Sequence, residues 1–330
     1  MDARRISLTH RSAVLADGWS DHDLRRAERH GELSRIRRGS YADPDALAGL
    51  DTHQRHRVAI AAATRAPTPC VISHASAAVV WGLPLHGVDL DRVHFTRPGA
   101  VGGRRSAGRV DHGGALLPGD VTEQDGIAVT TPARTLVDLA RTESPEAAVV
   151  AADHAFHEGT TTPSAVRDVL DRSAGIPGIG TGRRALLAAD GRSESPGESL
   201  TRFVLQGIAP MDAQVELRDA AGRFGARVDL AVRDALLVLE FDGRQKYLAL
   251  RSPGQSVEDA VLAEKRREDV IRGLGYLVTR VVWADLTDPA ALRRRIADAV
   301  RRGRDMHARG MVALGSYRPA APLRLGPAVT

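Results

Sequence analysis

The stretch that most restricts this chain is Leu236-Leu-Val-Leu-Glu-Phe-Asp242, closed by Gly243. An apolar run that ends on acidic residues fits neither an amphipathic helix nor an edge strand. It fits the centre of a sheet covered on both faces, with Glu240 and Asp242 at the strand's carboxyl end. Gly225 to Val232 reads as its antiparallel neighbour, and Ala213 to Leu217 as the strand before that. Side chains alternate along a strand, so Val238, Glu240 and Asp242 share a face. With Arg233-Asp234 as a two-residue turn, Asp229 lies opposite Val238 on that face. It is then diagonal to Glu240, ~7–8 Å away.

Carboxylates gathered in this way repel one another, and partial burial raises the cost. A hard divalent cation removes it. Mg²⁺ or Mn²⁺ suits one or two carboxylates together with a substrate phosphate, stabilises charge on the scissile phosphate and acidifies an attacking water. Asp229, Glu240 and Asp242 are therefore candidate metal ligands and catalytic residues. The competing reading leaves Asp229 in solvent and pairs Glu240 with an arginine such as Arg227. Glu198 is a further candidate, although Ser195-x-x-Glu198 is also a capping box that accounts for it structurally. Lys246 is close enough in sequence to steady developing negative charge in the same pocket, or it is a surface lysine. Lys265 and Arg267 fall on a helix whose apolar stripe is Val261, Leu262, Val270 and Leu274, and are candidates for holding phosphates.

The rest of the chain divides by composition. Its 330 residues suffice for two or three domains. The boundaries read as 1–48, 49–170, a Gly/Pro/Ser-rich linker at 171–194 around a short helix, 195–302, and a tail at 303–330 that is frayed in its Pro-rich part after Gly315. Lys and Arg number 46 against 41 Asp and Glu, a weak excess, so location matters more than total charge. In the first region Ser20 caps a helix that Asp21 and Asp23 favour at its start, Leu24 and Ala27 share a face, and Gly31 closes it. The alternating strand Leu33 to Tyr41 follows, with Arg35 and Arg37 opposite Ile36. This is the outline of a winged helix. Arg25, Arg26, Arg29, Arg35, Arg37 and Arg38 form its basic cluster, either a phosphate-binding surface or a solvated face interspersed with Glu28 and Glu32.

The middle region reads as mixed and mainly helical. It has helices over Thr52 to Ala66 and Ser73 to Trp81, a strand at Val93 to Thr96, a glycine- and arginine-rich loop, and a helix with Pro132 at its first position behind Thr131. His74, His86, His94, His112, His154 and His157 are here without a compact metal-ligand motif. The single cysteine, Cys70, excludes an intramolecular disulfide and a thiolate zinc site. There is no membrane-length apolar run and no signal-peptide core, so a soluble, cytoplasmic protein is expected.

Two resemblances rest on these residues. Ser-Glu-Ser-Pro-Gly-Glu198, Arg-Val-Asp229, Leu-Glu240-Phe-Asp242-Gly-Arg-Gln-Lys246-Tyr and Glu264-Lys-Arg-Arg267 resemble an actinobacterial family whose carboxy-terminal domain is similar to the very-short-patch-repair (Vsr) endonuclease of the PD-(D/E)XK superfamily. The resemblance covers residues 193 to 290. It implies a restriction-endonuclease-like mixed sheet flanked by helices, with Asp229 and Glu240 binding metal and Glu198 contributed by the first helix. Asp242 stands where that superfamily has a lysine, which leaves turnover open.

Residues 5 to 170 resemble the AbiEi-type antitoxin, a winged-helix transcriptional regulator. The carriers are Gly39-Ser-Tyr41, Ser73-His-Ala-Ser-Ala-Ala78 with Trp81-Gly-Leu, and Val129 to Ala140. The expected chain is thus a multidomain α/β (α+β) protein that binds DNA and has no membrane partner. A metal-dependent nuclease, a regulator with an inactive nuclease-like domain, and a protein-interaction surface are the three readings. A homodimer and a cognate toxin are compatible partners.

Overall fold

The computed structural model describes residues 6–65, 69–243 and 257–326, the side chains of 257–261 excepted. The chain divides into two compact units, Met1–Ala151 with Ser164–Arg183, and Ala152–Pro163 with Arg184–Thr330. Both mix helices with sheet, and no helix among the described residues is long and apolar enough to cross a membrane.

The first unit opens with β1 (Leu8–His10), α1 (Arg11–Ala16), α2 (Asp21–Arg29), β2 (Ser34–Arg37) and β3 (Ser40–Ala42). The strands form one antiparallel sheet in the order β1-β3-β2. At the start of α2, Ser20 Oγ accepts from the Asp23 amide and Asp23 returns the bond to the Ser20 amide. Two otherwise orphan N–H groups are thereby satisfied. Leu24 and Ala27 are buried as their spacing requires. Between Arg35 and Arg37 the register slips, with Arg35 opposite Tyr41 and Arg37 opposite Ser40. The two arginines therefore part: Arg37 Nη1 donates to the Ala62 carbonyl, whereas Arg35 lines an open cleft. Simple alternation had grouped them.

Helices α3 (Pro44–Leu47) and α4 (Thr52–Thr64) lead into a second sheet built from β4 (Val71–Ile72), β5 (Val93–Pro98), β6 (Arg104–Ser106), β7 (Arg109–Gly114), β8 (Val121–Gln124) and β9 (Ile127–Thr130). Its order is β6-β7-β5-β4-β9-β8, with β5–β7 and β4–β9 parallel. The glycine- and arginine-rich stretch read as a loop is thus largely strand. Its apolar signal is nearly absent because Val110 is the one buried hydrophobic residue of β6 and β7. Helices α5 (His74–Val80) and α6 (Pro132–Thr142) follow, the latter with Pro132 in its first turn as expected. Then come α7 (Pro145–His157), α8 (Pro163–Arg172) and α9 (Ile179–Leu187).

In the second unit the order is α10 (Pro196–Val204), β10 (Asp212–Arg218), β11 (Phe224–Val232), β12 (Leu237–Asp242), α11 (Val257–Gly273), β13 (Leu277–Val282), the short α12 (Trp283–Leu286), α13 (Pro289–Ala308) and β14 (Ser316–Pro319). The sheet runs β13-β12-β11-β10-β14, antiparallel except for the parallel pair β12–β13. As its sequence demands, β12 is buried on both faces. Leu237, Leu239 and Phe241 pack with Leu292, Ile296 and Val300 of α13, while Val238 packs with Ile271 of α11 and Leu274 just beyond it.

Three expectations are corrected in this unit. Leu262 and Val270 are exposed, so the buried stripe of α11 is Ile271 with Leu274. Residues 171–194 hold the short helix expected there, α9, but the stretch beyond it is not loose: Asp190, Arg192 and Ser193 are buried, with Asp190 ion-paired to Arg192 at 2.8 Å and Arg324 at 3.1 Å. The tail is held too, since β14 pairs with β10 and Tyr317 donates from its hydroxyl to Asp212 Oδ2 at 2.8 Å. Gly and Pro mark these segments as breaks, but burial of single charged residues leaves no periodic trace.

Candidate functional site

The connection between β11 and β12 decides where the carboxylates meet. It is not a two-residue turn. A 3-10 turn at Arg233–Ala235 precedes Leu236, whose φ of +46° is left-handed. The register is consequently displaced by two residues, with Ala231 opposite Val238 and Leu230 opposite Leu239. The pairing ends there, and Asp229, the next residue of β11, lies near enough for its charge to act on Glu240. Asp229 Oδ2 accepts from the Phe241 amide at 2.8 Å.

Glu240 is the buried member of this pair. Burial first, and then the Asp229 charge, push its carboxyl up to about 8, against the pull of Arg267. Arg267 of α11 reaches both Glu240 oxygens, at 3.0 and 2.9 Å, and also donates to the Arg227 carbonyl. The arginine partner of Glu240 is therefore Arg267; Arg227 itself pairs with Glu194 at 2.7 Å. Asp242 turns toward Arg280 of β13, 3.8 Å away, and that guanidinium also holds Glu264 and Glu268 at 2.9 Å each. Lys265 is exposed, and Lys246 lies outside the described residues.

Glu198 is buried in the first turn of α10. Its Oε1 accepts from Ser195 Oγ at 2.7 Å, and its Oε2 accepts from the Glu194 amide at 2.9 Å and from Gln214 Nε2 at 3.0 Å. Half of the expected capping box forms: Ser195 Oγ accepts from the Glu198 amide, but Glu198 reaches the Glu194 amide rather than that of Ser195, and Gln214 is an added partner. Gly197 lets this turn approach β12: a Cβ there would lie 2.0 Å from the Phe241 ring. Neither Gln214 nor Arg280 was singled out from the sequence. Both sit inside strands, where no motif distinguishes them.

Oxygen donors alone suit a hard cation that keeps most of its own water. Burial first, and the Asp229 charge second, disfavour the charged form of Glu240 more than Arg267 restores it. Asp229 and Glu240 thus fit an ion shared by two carboxylates. They do not make a cage with Asp242, and among the described residues no group of three or more His, Cys, Asp or Glu is arranged to hold a metal.

Two polar clusters mark the first unit. Arg25, Arg35 and Arg38 line one cleft of about 420 Å³ with Arg11 and Tyr41. Arg26 and Arg29 are exposed on the same helix. Arg11 is held by Asp21 through two bonds of 2.7 Å and was not anticipated.

The second cluster is a buried seam. The rings of His74 and His112 stack with centroids 3.5 Å apart, and His112 Nε2 lies 3.1 Å from His94 Nδ1. Arg141 donates to His74 Nε2 and to Asp138, Arg134 bridges Asp138 and Asp120, and Arg172 closes on Asp120. Burial, seconded by His112 for His94 and by Arg141 for His112, lowers both histidines to about 4, and His74 lies well below its usual value. The fold thus gathers His74, His94 and His112, which are scattered in sequence. His157, by contrast, lies 3.3 Å from the Gly191 carbonyl.

No family model matches the chain. Two proteins of Mycobacterium tuberculosis, the uncharacterized proteins MT2308 and Rv2248, are each 28% identical to it over 237 residues, covering 70% of this chain and 83% of the relative. Among solved structures, the RV2827C protein of Mycobacterium tuberculosis aligns with a TM-score of 0.37 and 17% identity, over 61% of this chain and 77% of that one.

Proposed function

We propose that the second unit is a metal-dependent phosphodiesterase that hydrolyses DNA, acting in defence or DNA processing. The amino-terminal helices and hairpin are then the winged helix that brings it to the duplex. One observation carries this reading: two carboxylates from neighbouring strands lie close enough to act on each other at the end of a two-face-buried strand, although burial makes that arrangement costly. A mixed sheet flanked by helices is also what the PD-(D/E)XK resemblance implies.

Mg²⁺ or Mn²⁺ bound by Asp229 and Glu240 would supply charge for the scissile phosphate and a more acidic water. The chain's own residues do the rest. Asp229 is oriented by the Phe241 amide, and Glu240 beside it would hold the ion as a carboxylate. Arg267 has a phosphate as the natural replacement for Glu240, because its planar fork matches either anion. Glu198 is fixed by its three donors at the start of α10. In the first unit, Arg25, Arg35 and Arg38 hold backbone phosphates and set affinity rather than sequence preference.

A second reading rests on a specific observation. Arg267 occupies both Glu240 oxygens, and Asp242 pairs with Arg280 where a catalytic lysine is expected. On this reading the chain is a regulator of the antitoxin type, with an inactive domain, and a cognate toxin and a homodimer belong to it. Plasmid incubated with Mg²⁺ or Mn²⁺, beside Asp229→Ala and Glu240→Ala variants, separates the two. Cutting by the native protein that falls at least about 100-fold in both variants supports the enzyme. DNA that is shifted in a gel but never cut supports the regulator.

A further inference from the structure

Gln214 lies in the middle of β10 with φ +50°, in the left-handed region that glycine tolerates and glutamine rarely adopts. Its register position falls between the pairs Ala213–Leu230 and Val215–Val228, which sets it across from Asp229. The usual alternation of faces fails at this point. Ala213 and Leu230 belong to the core beneath α13, whereas Val215 and Val228, two residues along each strand, belong to the core beneath α11. The change of face on β10 falls at the left-handed Gln214, and β11 changes face at the same level, beside the candidate carboxylates. Gln214, Asp229 and Glu240 then follow one another across three adjacent strands.

The side chain that this backbone carries has a definite target. Gln214 is buried, and its Nε2 donates to Glu198 Oε2. Ser195 Oγ and the Glu194 amide already serve that carboxylate, and Ser195 Oγ caps the helix by accepting from the Glu198 amide. The capping of α10 therefore does not require Gln214. Its own carbonyl is satisfied separately by the Ala320 amide. The bend accounts for the change of face, but a buried amide aimed at a carboxylate that is already capped is not needed for it.

We infer that Gln214 is a positioning residue for the proposed hydrolysis, its left-handed backbone serving to turn the amide onto Glu198 and fix that carboxylate in line with Asp229 and Glu240. The inference rests on the nuclease reading above. Glycine and asparagine are the residues most at ease with positive φ, and neither reaches as far as glutamine. If the bend serves only the sheet, Gln214→Gly and Gln214→Asn will match or exceed the native protein in both melting temperature and turnover.

Positioning predicts a split. Melting temperature holds or rises in both variants, while kcat for plasmid nicking falls about tenfold or more and KM for DNA stays within about twofold. The full chain is assayed in Mn²⁺ and in Mg²⁺. Native kcat in both variants, or a kcat that falls only in step with a lost melting transition, overturns the role of Gln214 while leaving the nuclease reading intact. A native protein that cuts no DNA in either metal overturns the nuclease reading and this role with it.

Discussion

The buried seam of the first unit and the carboxylate pair of the second are both dense in ionisable groups, yet they are balanced in opposite ways. In the seam every acid has two basic partners: Asp138 has Arg134 and Arg141, and Asp120 has Arg134 and Arg172. The imidazoles among them are neutral. In the second unit Glu240 has one arginine and faces another carboxylate. A buried charge whose partners are all present holds a fold together. A buried carboxyl set beside a second carboxylate, with Arg267 as its arginine among the described residues, favours an ion from outside. That difference, rather than the number of ionisable residues, is what directs attention to Asp229 and Glu240.

The strongest way to break this comparison is to remove the shared acid of the seam. Asp138→Ala leaves Arg134 and Arg141 without their common partner in a buried site, and a loss of about 3–5 kcal/mol from the first unit is expected. Denaturant unfolding followed by hydrogen-exchange mass spectrometry reads the two units separately. A loss below about 1 kcal/mol would mean that the seam is not a matched network. Glu240→Gln is the opposite case. Removing the buried charge next to Asp229 is expected to stabilise the second unit at pH 8 by a few kcal/mol at most, while abolishing nicking.

Titration sharpens the contrast because the two sites move in opposite directions. Glu240 is raised from 4.5 to about 8, so the folded protein holds more protons than the unfolded chain between those values. Stability of the second unit therefore falls as pH rises through that window. His94 and His112 are lowered from 6.5 to about 4, so there the unfolded chain holds more protons. Stability of the first unit is present above pH 6.5 and drains away on acidification toward pH 4. Unfolding midpoints between pH 4 and 8 should slope upward for the first unit and downward for the second. Glu240→Gln should flatten only the latter. Slopes of the same sign in both units would refute the contrast.

Much of this was legible in the sequence, for reasons that can be named. The two-face burial of β12 follows from its unbroken apolar run, and the α2 cap and the start of α6 follow from Ser20 and Pro132. Asp229 and Glu240 were legible as neighbours, but their register was not. The connection contains Leu236 at positive φ, and leucine carries no signal for that conformation. Gln214 was invisible for the same reason. The histidine seam escaped because His74, His94 and His112 come from a helix and two strands whose pairing is set by a sheet with almost no apolar pattern at β6 and β7. Periodicity reports which face of an element is buried. It does not report which lone polar residues that burial brings together.

The smallest expected effect tests the same distinction on the surface. Among the described residues Arg25, Arg35 and Arg38 make no ion pair, and all are exposed at one cleft, whereas Arg37 is half-buried and spends a donor on the Ala62 carbonyl. Arg35 and Arg37 are near neighbours on one strand, so composition and local charge are the same for both. If unpartnered charge is what meets DNA, Arg35→Ala reduces the slope of log affinity against log salt by about 0.9, the release of one phosphate's counterion. Arg37→Ala leaves that slope unchanged and instead lowers the stability of the first unit by about 1 kcal/mol, the loss of a hydrogen bond and its packing. Fluorescence anisotropy with a labelled duplex across a salt series measures the first, and thermal unfolding the second. An equal drop in slope for both variants would show that the cluster acts as a diffuse positive surface, and the division between partnered and unpartnered arginines would then fail at the surface even if it holds inside the fold.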